Sequence, residues 1–173
     1  MNSWFNKKRS KRFFFGSILV MILSVFIFYP FLPQQIVSDS FNLMARGANS
    51  PRQTLLIVQL VFLSIYTLVG YLTADVFTRV MPDGINIPNK EYWLHPSRIK
   101  TTVDRASAIG YWIFSFSNVL IGVVFIRIYL EQITGTEITT AFFPVLISLY
   151  LLVLAVFLIR VNRIFKKQSA YKS

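Results

Sequence analysis

The sequence has no cysteine, a single histidine at His95 and only seven acidic residues among its 173 positions. The absence of cysteine excludes disulfides and thiolate chemistry. One histidine and a few scattered acids cannot supply an ordinary zinc site, which needs several ligands close together. The seven glycines form neither a phosphate-binding loop nor a nucleophile elbow. These shortages predict a protein that is not an enzyme and binds no cofactor or metal, with His95 at an interfacial or surface position rather than acting as a general base.

Hydrophobic residues, in contrast, make up 54% of the chain and include 17 phenylalanines. Four apolar runs are long enough to cross a hydrocarbon layer of about 30 Å as helices of about 20 residues. Lipid offers the backbone no hydrogen-bond partners, and four segments cannot close a barrel, so each run is predicted to be a helix. The sequence therefore predicts an all-α membrane protein, a single domain of four transmembrane helices at residues 13–32, 54–73, 107–130 and 140–160.

Lysine and arginine are distributed unevenly between the connecting segments. Fifteen of the 18 lie in the N-terminal tail, the loop between the second and third spans, and the C-terminal tail, whereas the first loop has two, Arg46 and Arg52. The positive-inside rule then places both termini and the second loop in the cytoplasm. The net charge of +11 is accordingly interpreted as a topology signal, aided by anionic lipid headgroups, and no nucleic-acid partner is expected.

Two pairs of opposite charge lie near the ends of the predicted spans. Asp75 and Arg79, four residues apart at the cytoplasmic end of the second span, are predicted to pair or to be solvated. Arg127, near the outer end of the third span, is expected to reach outward, with Glu131 as its partner. The sequence has no charge at mid-membrane depth, which argues against a proton-coupled transporter or an ion channel built from this subunit alone.

Asn118 and Gly122 are four residues apart in the third span and therefore share one face of the helix. Small residues and amides on one face are typical of helix–helix contacts in membranes, so this face is predicted to turn toward a neighbouring helix. A polar site inside the bundle is the alternative interpretation of Asn118. The third and fourth spans are predicted to form a tight antiparallel hairpin, with Gly135 as the turn residue.

The stretch "NIPNKEYWLHP", residues 86–96, interrupts the apolar pattern between the second and third spans. Its prolines prevent one continuous helix through the loop. Tyr92 and Trp93 are amphipathic rings of the kind that settle at headgroup level. Ser97 is a good N-cap, so a helix is predicted to start there and to run from the cytoplasm into the third span.

This loop also resembles a known family. The segment "INIPNKEYWLHPSRIKTTVDR", residues 85–105, is similar to the cytoplasmic signature of bacterial membrane proteins that carry domain of unknown function 1648. In that signature a run of proline, asparagine, basic and acidic residues leads to Tyr-Trp-Leu, then to proline and a charged helix. Tyr92 and Trp93 are the aromatic residues of this match.

The segment "LPQQIVSDSFNLMARGANSPR", residues 32–52, is similar to the extracytoplasmic stretch that follows the first span in the same family. Pro33, Phe41, Asn42 and Gly47 fit its pattern. The chain departs from the pattern where the family histidine falls on Ser40 and where Pro51 stands near the expected tryptophan.

The resemblance implies a bacterial protein integral to the cytoplasmic membrane. A better-known relative protects cells against a secreted antimicrobial peptide and also holds a repressor at the membrane.

We therefore hypothesise a non-enzymatic protein that sits among membrane lipids and recognises a peptide or protein partner through its outer loop, residues 33–53. A structural or accessory subunit of a larger membrane complex is the alternative, and an enzyme or transporter acting on a lipid or small solute is a third hypothesis. The candidate interaction residues are Phe41, Asn42, Tyr92, Trp93 and Asn118.

Overall fold

The computed structural model describes residues 5–37, 49–136 and 141–167. These residues are mostly helical, with four long helices, one short helix and two short strands. In chain order the elements are α1 (Lys7–Phe28), continued by a 3-10 turn (Tyr29–Phe31), β1 (Gln35–Val37), β2 (Asn49–Pro51), α2 (Arg52–Val80), a 3-10 turn (Pro82–Gly84), α3 (Lys90–Trp93), α4 (Ile99–Thr134) and α5 (Phe142–Lys167).

The four long helices, α1, α2, α4 and α5, are each long and apolar enough to cross a membrane, which confirms the predicted number of spans. All of them include residues beyond the predicted boundaries. The 36 residues of α4 correspond to a rod of about 54 Å at 1.5 Å per residue, whereas the hydrocarbon layer is about 30 Å thick. Helix α4 therefore extends several turns beyond its membrane span.

Helix α4 is the centre of the packing, because it makes extensive contact with α1 and also contacts α2 and α5. The core lies between α1, α2 and α4. Its large buried side chains include Phe14, Ile18, Met21, Leu55, Leu63, Tyr111, Phe125, Ile128 and Tyr129. In contrast, the other described residues bury no residue of the most apolar stretch of α5. Helix α5 thus lies beside a three-helix core rather than within it.

Helix α2 changes its geometry near its C-terminal end. It is a regular α-helix through Tyr71 and continues as a π-helical turn at Leu72–Phe77. In this turn Ala74 lies so close to Gly110 of α4 that a Cβ added at Gly110 would be 3.0 Å from the Ala74 Cβ. A glycine at position 110 therefore allows the two helix backbones to approach closely. The next residue after Ala74, Asp75, is brought into the space between the helices and is only 4% exposed.

The loop between α1 and α2 contains a short ribbon, which the all-α prediction did not include. Strands β1 and β2 are antiparallel, and Ile36 lies opposite Ser50. The Arg52 amide donates a hydrogen bond of 3.1 Å to the Gln34 carbonyl. The Arg52 guanidinium lies 4.8 Å from the centre of the Tyr29 ring. These contacts attach the ribbon to the ends of α1 and α2.

The predicted N-cap at Ser97 is wrong, because α4 begins at Ile99 after Arg98. The amides of Arg98 and Ile99 both donate to the His95 carbonyl, at 2.8 and 3.0 Å, so a backbone turn provides the acceptor that a cap would supply. The Ser97 hydroxyl instead lies 2.9 Å from His95 Nδ1. At the other end of α4 the predicted turn residue is confirmed, since Gly135 has a φ of 67° and ends the helix.

Candidate functional site

The outer loop, predicted to recognise a partner, is described at both of its ends. There a shallow polar depression beside the ribbon is lined by Gln34, Gln35, Pro51, Arg52 and Gln53. The two residues of this loop predicted to contact a partner, Phe41 and Asn42, lie outside the described residues, as does Ser40. Their role in recognition stays a prediction.

The ribbon offers a second feature relevant to recognition. Two antiparallel strands have two edges, and within residues 5–37, 49–136 and 141–167 no third strand pairs with either of them. The outer edge of a strand presents backbone donors and acceptors that can pair with an extended segment of another chain. Ile36 is buried against the bundle and Gln35 is exposed, so the two faces of β1 differ in polarity. The arrangement suits an extended peptide that adds as a strand while polar side chains contact the depression.

Trp93, predicted to settle among lipid headgroups, lies inside the protein and is 3% exposed. Its Nε1–H donates a hydrogen bond of 3.1 Å to the Phe165 carbonyl, and the two rings meet edge to face at 5.1 Å. The Thr102 hydroxyl donates to the Trp93 carbonyl at 2.8 Å. The headgroup prediction is therefore wrong for Trp93. The reason is that the Phe165 carbonyl of α5 accepts the indole N–H, so the polar part of the ring is satisfied inside the protein.

Tyr92 and His95 lie on the outside of the same loop. The Tyr92 ring is half-buried beneath the Arg98 guanidinium, whose central carbon is 4.1 Å from the ring centre, a cation–π contact. His95 is exposed and contacts Ser97, which agrees with the surface position predicted for it. The loop thus turns its tryptophan inward to hold α5 and leaves its tyrosine and histidine nearer the surface.

Asn118 contacts a neighbouring helix, as its shared face with Gly122 predicts. It is 1% exposed, and its Nδ2 donates a hydrogen bond of 2.9 Å to the Ser17 hydroxyl of α1. A Cβ added at Gly122 would lie 3.6 Å from Met21 of α1, an ordinary contact distance. Asn118 Oδ1 has no hydrogen-bond partner among the described residues. The contact joins α1 to α4, in keeping with the helix-packing interpretation.

The predicted pair of Arg127 and Glu131 is confirmed. Arg127 donates from Nε at 2.9 Å and from Nη2 at 2.7 Å to one oxygen of Glu131. Its guanidinium carbon lies 4.2 Å from the ring centre of Phe143 and 5.2 Å from that of Phe142. Because Phe142 and Phe143 at the start of α5 lie against the guanidinium, Arg127 also connects α4 to α5.

The most elaborate polar arrangement of the described residues surrounds Asp75, and the sequence predicted only one part of it, the contact with Arg79. One carboxylate oxygen accepts a hydrogen bond from Lys7 and forms an ion pair with Arg79, whose Nη2 lies 2.9 Å away. The other accepts from Lys11 at 3.2 Å and from the Tyr111 hydroxyl at 3.3 Å. We call these five residues the Asp75 cluster. It joins α1, α2 and α4. Lys7 and Lys11 share a helical face, but nothing local in the sequence predicts that this face meets Asp75.

Positive charge is in excess at the Asp75 cluster. A second acid, Asp104, is 3.8 Å from Lys7 and half-exposed. Three cations therefore adjoin two carboxylates. The exposed fraction is 59% for the Arg79 side chain and 38% for that of Lys11, against 5% for that of Asp75. The chemistry of this cluster suits an anion. It does not suit a metal ion, because within the described residues no three His, Asp or Glu side chains lie close enough together to bind one.

Four of the described helices are, by length and composition, able to cross a membrane. The chain therefore belongs to the class of multi-pass helical membrane proteins. No protein-family model, curated protein or solved structure matches the chain. The resemblance to proteins with domain of unknown function 1648 therefore stays a prediction.

Proposed function

We propose that the chain is a non-enzymatic multi-pass protein of the bacterial cytoplasmic membrane, with both termini in the cytoplasm, that recognises a peptide or protein partner on the outer side. The observation that supports this proposal is the ribbon of β1 and β2, which pairs with no third strand among the described residues and adjoins a polar depression. The ribbon lies in the loop that has few basic residues, which is the loop that the positive-inside rule assigns to the outside.

Recognition would use the backbone of the ribbon for affinity and its neighbouring side chains for selectivity. An extended peptide paired along one edge gains backbone hydrogen bonds whatever its sequence. The amides of Gln34, Gln35 and Gln53 line the adjoining depression and can donate to or accept from its polar side chains. The resemblance to a family with a relative that counters a secreted peptide supports the same function.

The proposal is tested by photocrosslinking in intact cells. A photoreactive amino acid at Gln35, which is exposed on β1, is compared with one at Leu152, which is exposed on α5. We expect a peptide or protein to be captured at Gln35, and also at Phe41, and lipid alone at Leu152. Lipid alone at all three positions would contradict recognition by the outer loop.

A second function, an accessory subunit of a larger complex, is favoured by one specific observation. Helix α5 presents exposed apolar residues such as Val145, Leu152 and Ile159 along its length, and these could pack against a helix of another subunit instead of lipid. Copurification in a mild detergent separates the two proposals. A stable stoichiometric complex supports the subunit, whereas a solitary monomer or homodimer contradicts it.

A further inference from the structure

The excess positive charge of the Asp75 cluster is held in a fixed arrangement. Asp75 is buried and forms ion pairs with Arg79 and Lys11, whose side chains remain substantially exposed. A guanidinium has five N–H donors and an ammonium three, so each cation keeps further donors for a ligand. The ring of Tyr71, 5.0 Å from Lys11 Nζ, supports the ammonium from one side. Asp75 thus positions two cations, one from α1 and one from α2, before any ligand binds.

Exposed apolar side chains lie near these two cations along α1 and α2. Phe15, which shares a helical face with Lys11, is exposed. Phe77, Val80 and Met81, next to Arg79 in the chain, are exposed as well. A ligand that matches both properties is amphiphilic, because its anionic group binds the cations while its hydrocarbon covers the apolar side chains. Inorganic phosphate matches the cations alone.

We infer that Lys11 and Arg79 form a binding site for the headgroup phosphate of an anionic phospholipid. The site uses charge-assisted hydrogen bonds from two different helices to one phosphate. Helices α1 and α2 contact each other much less than α1 contacts α4. A lipid bound to both would therefore add a connection where the bundle has few. The site lies at the opposite ends of α1 and α2 from the ribbon and takes a different ligand, so it does not depend on the proposed recognition of a peptide.

The full chain in detergent, titrated with lipids and analysed by native mass spectrometry, tests this inference. We expect the protein to bind phosphatidylglycerol at least about tenfold more tightly than phosphatidylcholine. Replacement of Arg79 or Lys11 by Gln should weaken binding of phosphatidylglycerol about tenfold, since each removes a charge-assisted hydrogen bond. Arg79→Lys, which retains the charge, should keep the preference for phosphatidylglycerol.

Lys100→Gln is the matched control, because Lys100 is exposed on α4 and its replacement removes the same charge. We expect it to change binding less than twofold. Equal weakening by Lys100→Gln and Arg79→Gln would overturn the inference, because a diffuse basic field would then be responsible. Equal affinity for the two lipids would also overturn it. Displacement of phosphatidylglycerol by inorganic phosphate at an equal concentration would assign the site to free phosphate instead.

Discussion

Asp75 shows how one carboxylate can be placed inside a helical bundle. Removing an ion from water costs several kcal/mol unless opposite charges and hydrogen bonds compensate. Here Lys7, Lys11, Arg79 and the Tyr111 hydroxyl supply that compensation at both carboxylate oxygens. The same contacts hold the cations together, and without the carboxylate they would repel one another. Asp75 is therefore the residue on which the stability of this cluster depends.

Replacing Asp75 by Asn should lower the free energy of unfolding by about 3 kcal/mol, because the amide has a similar size but cannot neutralise three cations. The measurement is chemical or thermal unfolding of the purified protein in detergent. Glu91→Gln is the control, since Glu91 is exposed on α3 and its replacement should change the free energy by less than about 0.5 kcal/mol. If the two variants were equally stable, the cluster would not be holding α1, α2 and α4 together.

At the scale of elements, the contact between α2 and α4 depends on the absence of side chains. Gly110 faces Ala74 in the π-helical turn, and Gly70 faces the rings of Phe14 and Phe114. A Cβ added at Gly110 would be 3.2 Å from the Ala74 Cα, a backbone atom that cannot rotate away. The close approach of the two helices is what brings Asp75 within reach of Tyr111.

Gly110→Ala should therefore destabilise the protein by about 1–3 kcal/mol, the usual cost of overpacking. Gly122→Ala is a matched control on the same helix, because its added Cβ would meet Met21 at 3.6 Å without displacing it. Thermal unfolding of both variants in the same detergent gives the comparison. A lower midpoint for Gly122→Ala than for Gly110→Ala would mean that α2 and α4 are not in tight contact.

Helix α5 is attached to the rest of the molecule at several separate points. Near its start Phe142 and Phe143 cover Arg127, and near its end Phe165 receives the hydrogen bond of Trp93. Between these, two contacts connect it to α4, the hydrogen bond of Ser117 with Tyr150 at 2.8 Å and the edge-to-face rings of Phe116 and Phe157. Most of its surface between these contacts is apolar and exposed, which suits a helix covered by lipid or by a partner.

At the scale of the whole molecule, charge is concentrated at one end. Most of the lysine and arginine lies at the start of α1, between the end of α2 and the start of α4, and toward the end of the sequence, whereas the segments beside the ribbon have few. This asymmetry underlies the proposed orientation, because basic segments stay on the cytoplasmic side during insertion.

The orientation can be measured directly, because the chain has no native cysteine. A cysteine in place of Gln34, exposed beside the ribbon, should react with a membrane-impermeant maleimide on intact cells. A cysteine in place of Ser97, exposed before α4, should react only after the membrane is permeabilised. The reverse pattern of labelling would show that the termini face outward.

The sequence alone determined the class of fold and the features that arise within one helix. The number of spans follows from hydropathy and from the need to satisfy backbone hydrogen bonds in lipid, which depend on composition and length. The contacts of Asp75 with Arg79 and of Arg127 with Glu131 follow from the spacing of four residues along a helix. The turn at Gly135 follows from the conformational freedom of glycine.

Only the tertiary structure decided which distant residues meet. Lys7 and Tyr111 come to Asp75 across 68 and 36 residues of chain, and Trp93 meets Phe165 across 72. Helical periodicity identifies the face on which a side chain lies but not the helix that covers that face. In a membrane an apolar face is satisfied by lipid as well as by protein, so hydropathy could not predict that α5 lies outside the core or that Trp93 lies within the protein.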